Sequence, residues 1–380
     1  MFAPKDQDNS RAGAWRLTRN HHGALARRLR RAAAGAVCAA AVALPFAGAA
    51  AAQAATTTPA FTPLTLVNGW ANYGNGTANA AVARINGIVH LRGGIKTSGT
   101  NPVPFTLPAG DRPVHEVYVP VDLCNGDNGR LEITPSGSVT VQTEVGNWAS
   151  AQCFTSLDGV SFATSASSFT PLTLVNGWTN YGSGTASPAA RKISGIVHLE
   201  GAMKTNGTNQ VAFTLPAGDR PTYRIFVPVD LCGATNGDLF IQADGSVSVA
   251  AEGGDWSNAQ CFTSLDGVSF APSASSFTRL TLENGWTSTG LDSDPPAVRV
   301  ISGIVHLEGD MYSNGINPVP FTLPAAFRPA HNVAVKVALC GEDSGMLVIG
   351  PGGEATVQAE GGNWGNAQCQ TSLDGVWFAR

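Results

Sequence analysis

The stretch Gly87–Pro113, GIVHLRGGIKTSGTNPVPFTLPAGDRP, returns at Gly195–Pro221 as GIVHLEGAMKTNGTNQVAFTLPAGDRP and at Gly303–Pro329 as GIVHLEGDMYSNGINPVPFTLPAAFRP, each copy 108 residues after the last. A fixed period makes one unit the object to be explained. A unit of this length is too long for a solenoid coil and right for a domain with its own core. The units open at Phe61, Phe169 and Phe277, as FTPLTLVNGW twice and then FTRLTLENGW. Their joints, Ala163–Ser168 (ATSASS) and Ala271–Ser276 (APSASS), are short, small and polar, and could span roughly 20 Å when extended. The domains expected are therefore 55–168, 169–276 and 277–380. Such linkers favour three domains in a row, with a compact pseudo-trimer inside one chain as the competing arrangement.

Within a unit the apolar residues alternate with a period of two. Leu64 and Leu66 alternate with threonines, Val89 and Leu91 face one way and Ile88 and His90 the other, and Val117, Val119 and Val121 repeat the pattern. Pro120 marks that last strand as an edge or a bulge. Pro135-Ser136-Gly137-Ser138, and Ala243-Asp244-Gly245-Ser246 in the second unit, read as hairpin turns. No amphipathic helix is visible after residue 54. Short strands with turns every 8–12 residues predict an all-β chain of three tandem β-sandwich or barrel-like domains.

The first 54 residues read differently. Arg27, Arg28, Arg30 and Arg31 precede the apolar run Ala32–Ala52, which closes on small residues with cleavage options at Ala52 or Ala54. This is the pattern of a signal peptide, by a Sec or a twin-arginine route, on a secreted, extracellular protein with no membrane span after cleavage. Taking its eight basic and two acidic residues from totals of 23 and 27 leaves fifteen and twenty-five, a net charge of −10. That balance argues against nucleic acid as a partner, since phosphate-backbone binding needs clustered Lys and Arg. Six of seven cysteines fall as Cys124/Cys153, Cys232/Cys261 and Cys340/Cys369, each pair 29 apart. In an exported chain this reads as one disulfide per unit. The competing reading, a metal site, has no CxxC and one constant histidine per unit to draw on.

GIVHLRG, then FTLPAGDRP, a Gly-turn hairpin and SLDGVSF resemble the β-structured C-terminal modules of phage tail-fibre and receptor-binding proteins, and of uncharacterised secreted bacterial proteins. The resemblance covers nearly all of each unit and implies a β-sandwich that attaches to a surface glycan or polymer. It implies no catalytic residue. The chain departs from the phage setting in its export signal, its three tandem copies and its lack of a fibre shaft.

Candidate functional residues follow the repeat. Trp148, Trp256 and Trp364 lie in Gly/Asn-rich loops where an indole could stack on a sugar ring, or else pack over the disulfide. Tyr73 and Tyr181 are expected to be exposed on loops, with Thr289 in the third unit. Arg112, Arg220 and Arg328 precede prolines and either brace a loop or meet a ligand anion. His90, His198 and His306 suit acid–base work or a hydrogen-bonded strand face. Asp158, Asp266 and Asp374, each before Gly, are turn formers first, with a catalytic or calcium-ligand role as the alternative. A hydrolytic carboxylate pair would have to come from Glu144, Glu252, Glu360 and such acids, since Asp122 and Asp230 give way to Ala338. Trp377, where the other units have Ser161 and Ser269, suggests a different surface on the third unit. The reading is a non-catalytic, cofactor-free binding protein with multivalent attachment to a cell-wall or surface carbohydrate. The alternatives are a structural or adhesive protein with a protein partner and, more remotely, a polysaccharide hydrolase.

Overall fold

The structure, a computed structural model, describes residues 59–165, 168–290 and 292–380. The expected signal peptide lies outside them. Each repeat is built almost wholly of antiparallel strands. In the first, one sheet runs in the order Thr62–Pro63, Ala81–Ile85, Ile88–Arg92, Ser161–Ala163. A second joins Thr155–Ser156, Gly94–Thr97 and Trp70–Asn72, and a third Phe105–Thr106, Ser138–Thr143, Asn128–Ile133 and Val117–Asp122. In the third repeat the last two sheets merge, because Val333–Leu339 also pairs with Thr371–Ser372.

The alternation of the sequence is what folds each unit. Val89, Leu91, Val117, Val119, Val121, Leu131 and Val141 all point into one core. Equivalent residues build the cores of the other repeats. The turn at Pro135–Gly137 connects the hairpin with Ile133 opposite Val139, and Gly137 there has φ 87°, open to glycine at no steric cost. Val117–Asp122 is an edge strand, as Pro120 suggested. The strand anticipated through Leu64 and Leu66 is confined to Thr62–Pro63, and both leucines pack half-buried on the core instead.

Two expectations need correction. Short helices do occur, at Trp148–Cys153, Trp256–Cys261 and Trp364–Cys369. Six residues are too few for the periodicity that betrays a helix in sequence. The three predicted disulfides each join the last residue of such a helix to its repeat, with Cα–Cα separations of 5.7 Å. Closing 29 residues this way should stabilise each repeat by roughly 3–4 kcal/mol in the chain-entropy model.

The second correction concerns arrangement. The repeats do not stand in a row: the described residues form one compact unit in which the repeats close on one another as a pseudo-trimer. The equivalent strands Val117–Asp122, Ile225–Asp230 and Val333–Leu339 pack together in all three pairings. Asp158 Oδ1 accepts from Gly93 N–H of its own repeat, and its Oδ2 from Ala334 N–H of the third. Asp266 does the same for Gly201 and Tyr118, and Asp374 for Gly309 and Phe226. The ring is thereby closed, and each turn aspartate is also an inter-repeat clamp. Asn128 donates to Ala234 O, Asn236 to Glu342 O and Ser344 to Gly126 O, a second ring. Among the described residues no helix is long and apolar enough to cross a membrane.

Candidate functional site

Two sets of equivalent side chains meet where the repeats converge. His90, His198 and His306 line a small void of about 30 Å³ with Ile88, Ile196 and Ile304. Burial, and for His90 and His306 a neighbouring histidine, lowers their pKa values, to about 4 for His198 and about 3 for His306. Asn86 bridges Ser194 and Ser302 beside them. Trp377 is not on a surface: it is 1 % exposed, with its ring 4.5 Å edge-on from His90. These histidines are packed neutral groups.

Glu144, Glu252 and Glu360 form a second set, their carboxylate oxygens within 4.8 Å of one another. Burial first, and then the neighbouring glutamates, push Glu252 up to about 9; burial raises Glu360 to about 7 and raises Glu144. Three like charges so close do not all ionise together. Asp122, Asp230 and Asp238 are buried and raised by desolvation to about 7, 7 and 8. Two cations answer these acids. Arg130 pairs with Asp230 at 2.8 Å, and Lys336 sits among them where the other repeats carry Pro120 and Pro228.

The predicted binding residues divide. Trp148, Trp256 and Trp364 are half-buried at the first turn of the short helices. Their indole N–H groups donate to Gly99, Gly207 and Gly315 of their own repeats, and they pack edge-on, near 6 Å, against Trp70, Trp178 and Trp286. Trp148→Ala should therefore cost stability, about 3 kcal/mol, and Trp148→Phe only the hydrogen bond, about 1 kcal/mol, as read by denaturant melts. Unchanged stability in Trp148→Ala would contradict this packing role. Arg112, Arg220 and Arg328 lie across the hairpin glycines Gly137, Gly245 and Gly353, with Nε donating to Leu107, Leu215 and Leu323. That is the bracing role, internal to each repeat. Tyr73 and Tyr181 are half-buried rather than loop-exposed, because Phe154 and Phe262 pack edge-on against them at 4.8 and 4.7 Å.

Tyr73 leads to the main cavity, a cleft of about 320 Å³ between the first and third repeats. Its apolar wall is Tyr73, Phe154, Ala334, Met346 and Val348. Gly94 leaves room for it: a Cβ there would stand 2.8 Å from Phe154 and 3.2 Å from Tyr73. Four amides, Asn75, Asn125, Asn332 and Gln358, stand at the same cleft, all but Asn332 well exposed. Asn332 is half-buried and held by its own N–H to Gly76 O and its Nδ2 to Asn75 O. No family model, curated protein or solved structure matches this chain.

The two equivalent interfaces are filled. Between the second and first repeats Tyr118 takes the place of Ala334 and stacks edge-on against Phe262 at 5.1 Å. Arg130, in place of Met346, lies over both rings. Between the third and second repeats Phe226 and Phe240 take the places of Ala334 and Val348, with Arg224 over them. The signal was present in the sequence as a departure from the repeat, alanine where its counterparts are aromatic. It means nothing until the interface is known.

Proposed function

We propose that this is a secreted, non-catalytic protein that attaches to surface carbohydrate through the cleft between its first and third repeats. The observation that carries the reading is the open interface between the first and third repeats: an aromatic and aliphatic wall faced by four amides, in a volume suited to a sugar or two. The apolar face of a pyranose packs on rings such as Tyr73 and Phe154, and its hydroxyls exchange hydrogen bonds with carboxamides, which both donate and accept. The three disulfides suit an oxidising, extracellular setting. One cleft replaces the three equivalent tryptophan sites, so attachment rests on one asymmetric site and not on avidity among repeats.

Ala334→Tyr tests this directly. It installs the residue that the first repeat carries at the same position, so the scaffold has a precedent for it. The unaltered chain should be retained on immobilised cell-wall polysaccharide, and Ala334→Tyr should lose at least about tenfold in affinity, with its melting temperature preserved. Equal retention of the two would remove the cleft from consideration.

A further inference from the structure

The open interface carries a second departure from threefold symmetry. Arg92 stands where the other repeats have Glu200 and Glu308. It lines a separate cavity of about 280 Å³ with Phe61, Pro63, Asn79 and His331, and Thr77 borders this cavity and the main cleft alike. Thr77 forms a parallel backbone bridge with Asn332, which lines the main cleft, and His331 precedes Asn332 in the chain. Arg92 lies with its guanidinium 4.3 Å from the centre of the Phe61 ring, and its Nε is buried without a hydrogen-bond partner. The acid that acts on it is Asp158, whose oxygens already accept from Gly93 and Ala334 N–H groups. At the two filled interfaces the same position is a buried glutamate beside an aspartate, Glu200 near Asp266 and Glu308 near Asp374. The interface that is open is thus also the one whose charge is reversed.

We propose that the ligand is an acidic carbohydrate, with a neutral ring against Tyr73 and Phe154 and an adjoining anionic group beside Arg92 and His331. This rests on the carbohydrate reading above. A guanidinium that sits 4.3 Å from a ring centre, on a residue that lines the cavity and makes no side-chain ion pair or hydrogen bond among the described residues, is disposed to take a carboxylate or phosphate oxygen. Both anions fit that chemistry, and the two are separated by experiment.

The test is calorimetric titration of the full chain, Arg92→Glu, Arg92→Gln and Ala334→Tyr with three probes: a neutral oligoglucoside, an oligouronate and a glycerol-phosphate oligomer. The unaltered chain should bind one acidic probe about tenfold more tightly than the neutral one, with the preference fading at high salt. Arg92→Glu, which reproduces the residue of the other repeats, should abolish that preference while neutral binding persists, and Arg92→Gln should reduce it. Preference for the oligouronate assigns a carboxylate, and preference for the phosphate oligomer a phosphate. Equal affinity of the unaltered chain for neutral and acidic probes, or a preference untouched in Arg92→Glu, overturns the acidic ligand while leaving the cleft intact. Binding undiminished in Ala334→Tyr, or no binding of any probe, overturns the cleft itself.

Discussion

Lys336→Met is expected to destabilise the folded chain by about 3–5 kcal/mol near pH 8, and by much less near pH 5. Lys336 is buried, 9 % exposed, with Nζ donating to Asn128 Oδ1 of the first repeat at 2.7 Å and to Ser344 Oγ. Its charge lowers the pKa values of Asp122, Asp230, Asp238, Glu144 and Glu360, all of which burial raises. Glu252, raised by burial and further by Glu360 and Glu144, adds another acid, and Asp343 and Glu342 face the same cluster. Removing the lysine leaves Arg130, which is paired with Asp230, to answer them.

The pH dependence has a definite sign. A carboxyl whose folded pKa exceeds its unfolded value holds extra protons in the native state, so stability falls as pH rises from about 4 through the folded values near 7 to 9. Without Lys336 those carboxyls bind protons more tightly and the fall steepens. Near pH 5 they are protonated with or without the lysine, so the two proteins converge. The buried histidines act oppositely: their lowered values contribute stability that is complete above about 6.5 and is lost as pH falls toward 4. Comparing both proteins at the same pH cancels that term. Chemical denaturation at the two pH values decides, and an equal loss at both would show that Lys336 contributes packing and not charge.

Lys336 also shows what a repetitive sequence conveys and what it withholds. The period, the strand alternation, the hairpin turns and the cysteine pairs are local or recur at fixed spacing, and each was legible before the fold. The closing of the ring was not, because linker composition limits reach and says nothing about the faces that meet. Asp158 reads as a turn former, yet its first oxygen accepts from Gly93, distant in the same repeat, and its second reaches another repeat. Tyr118, Phe226 and Ala334 look like drift at one strand position until that position is seen to line three interfaces. The informative residues were those where one repeat disagrees with the others, Arg92, Ala334, Lys336 and Trp377, and all four lie at inter-repeat positions.

The largest effect is expected from separating the repeats: residues 55–168 alone should fail to show a cooperative melt, whereas 55–380 should unfold in one transition. In the whole chain Asp122 is 1 % exposed and Asp158 7 %. Cut free, the first repeat exposes both, along with the wall formed by Tyr118 and Pro120. Tyr118 N–H loses Asp266, Asp158 loses Ala334, Arg130 loses Asp230 and Asn128 loses Ala234. Single domains are stable by only about 5–15 kcal/mol, and a repeat of this size sits at the low end, so losing this interface removes most of its margin. Its disulfide, at roughly 3–4 kcal/mol, limits the unfolded chain but supplies none of the missing contacts. Small-angle scattering adds an independent measure, since a compact body of this length has a radius of gyration near 20 Å and three domains in a row exceed it by roughly half. An isolated repeat melting as sharply and as late as the full chain would mean that the ring of aspartate clamps is dispensable, and that the repeats fold first and dock afterwards.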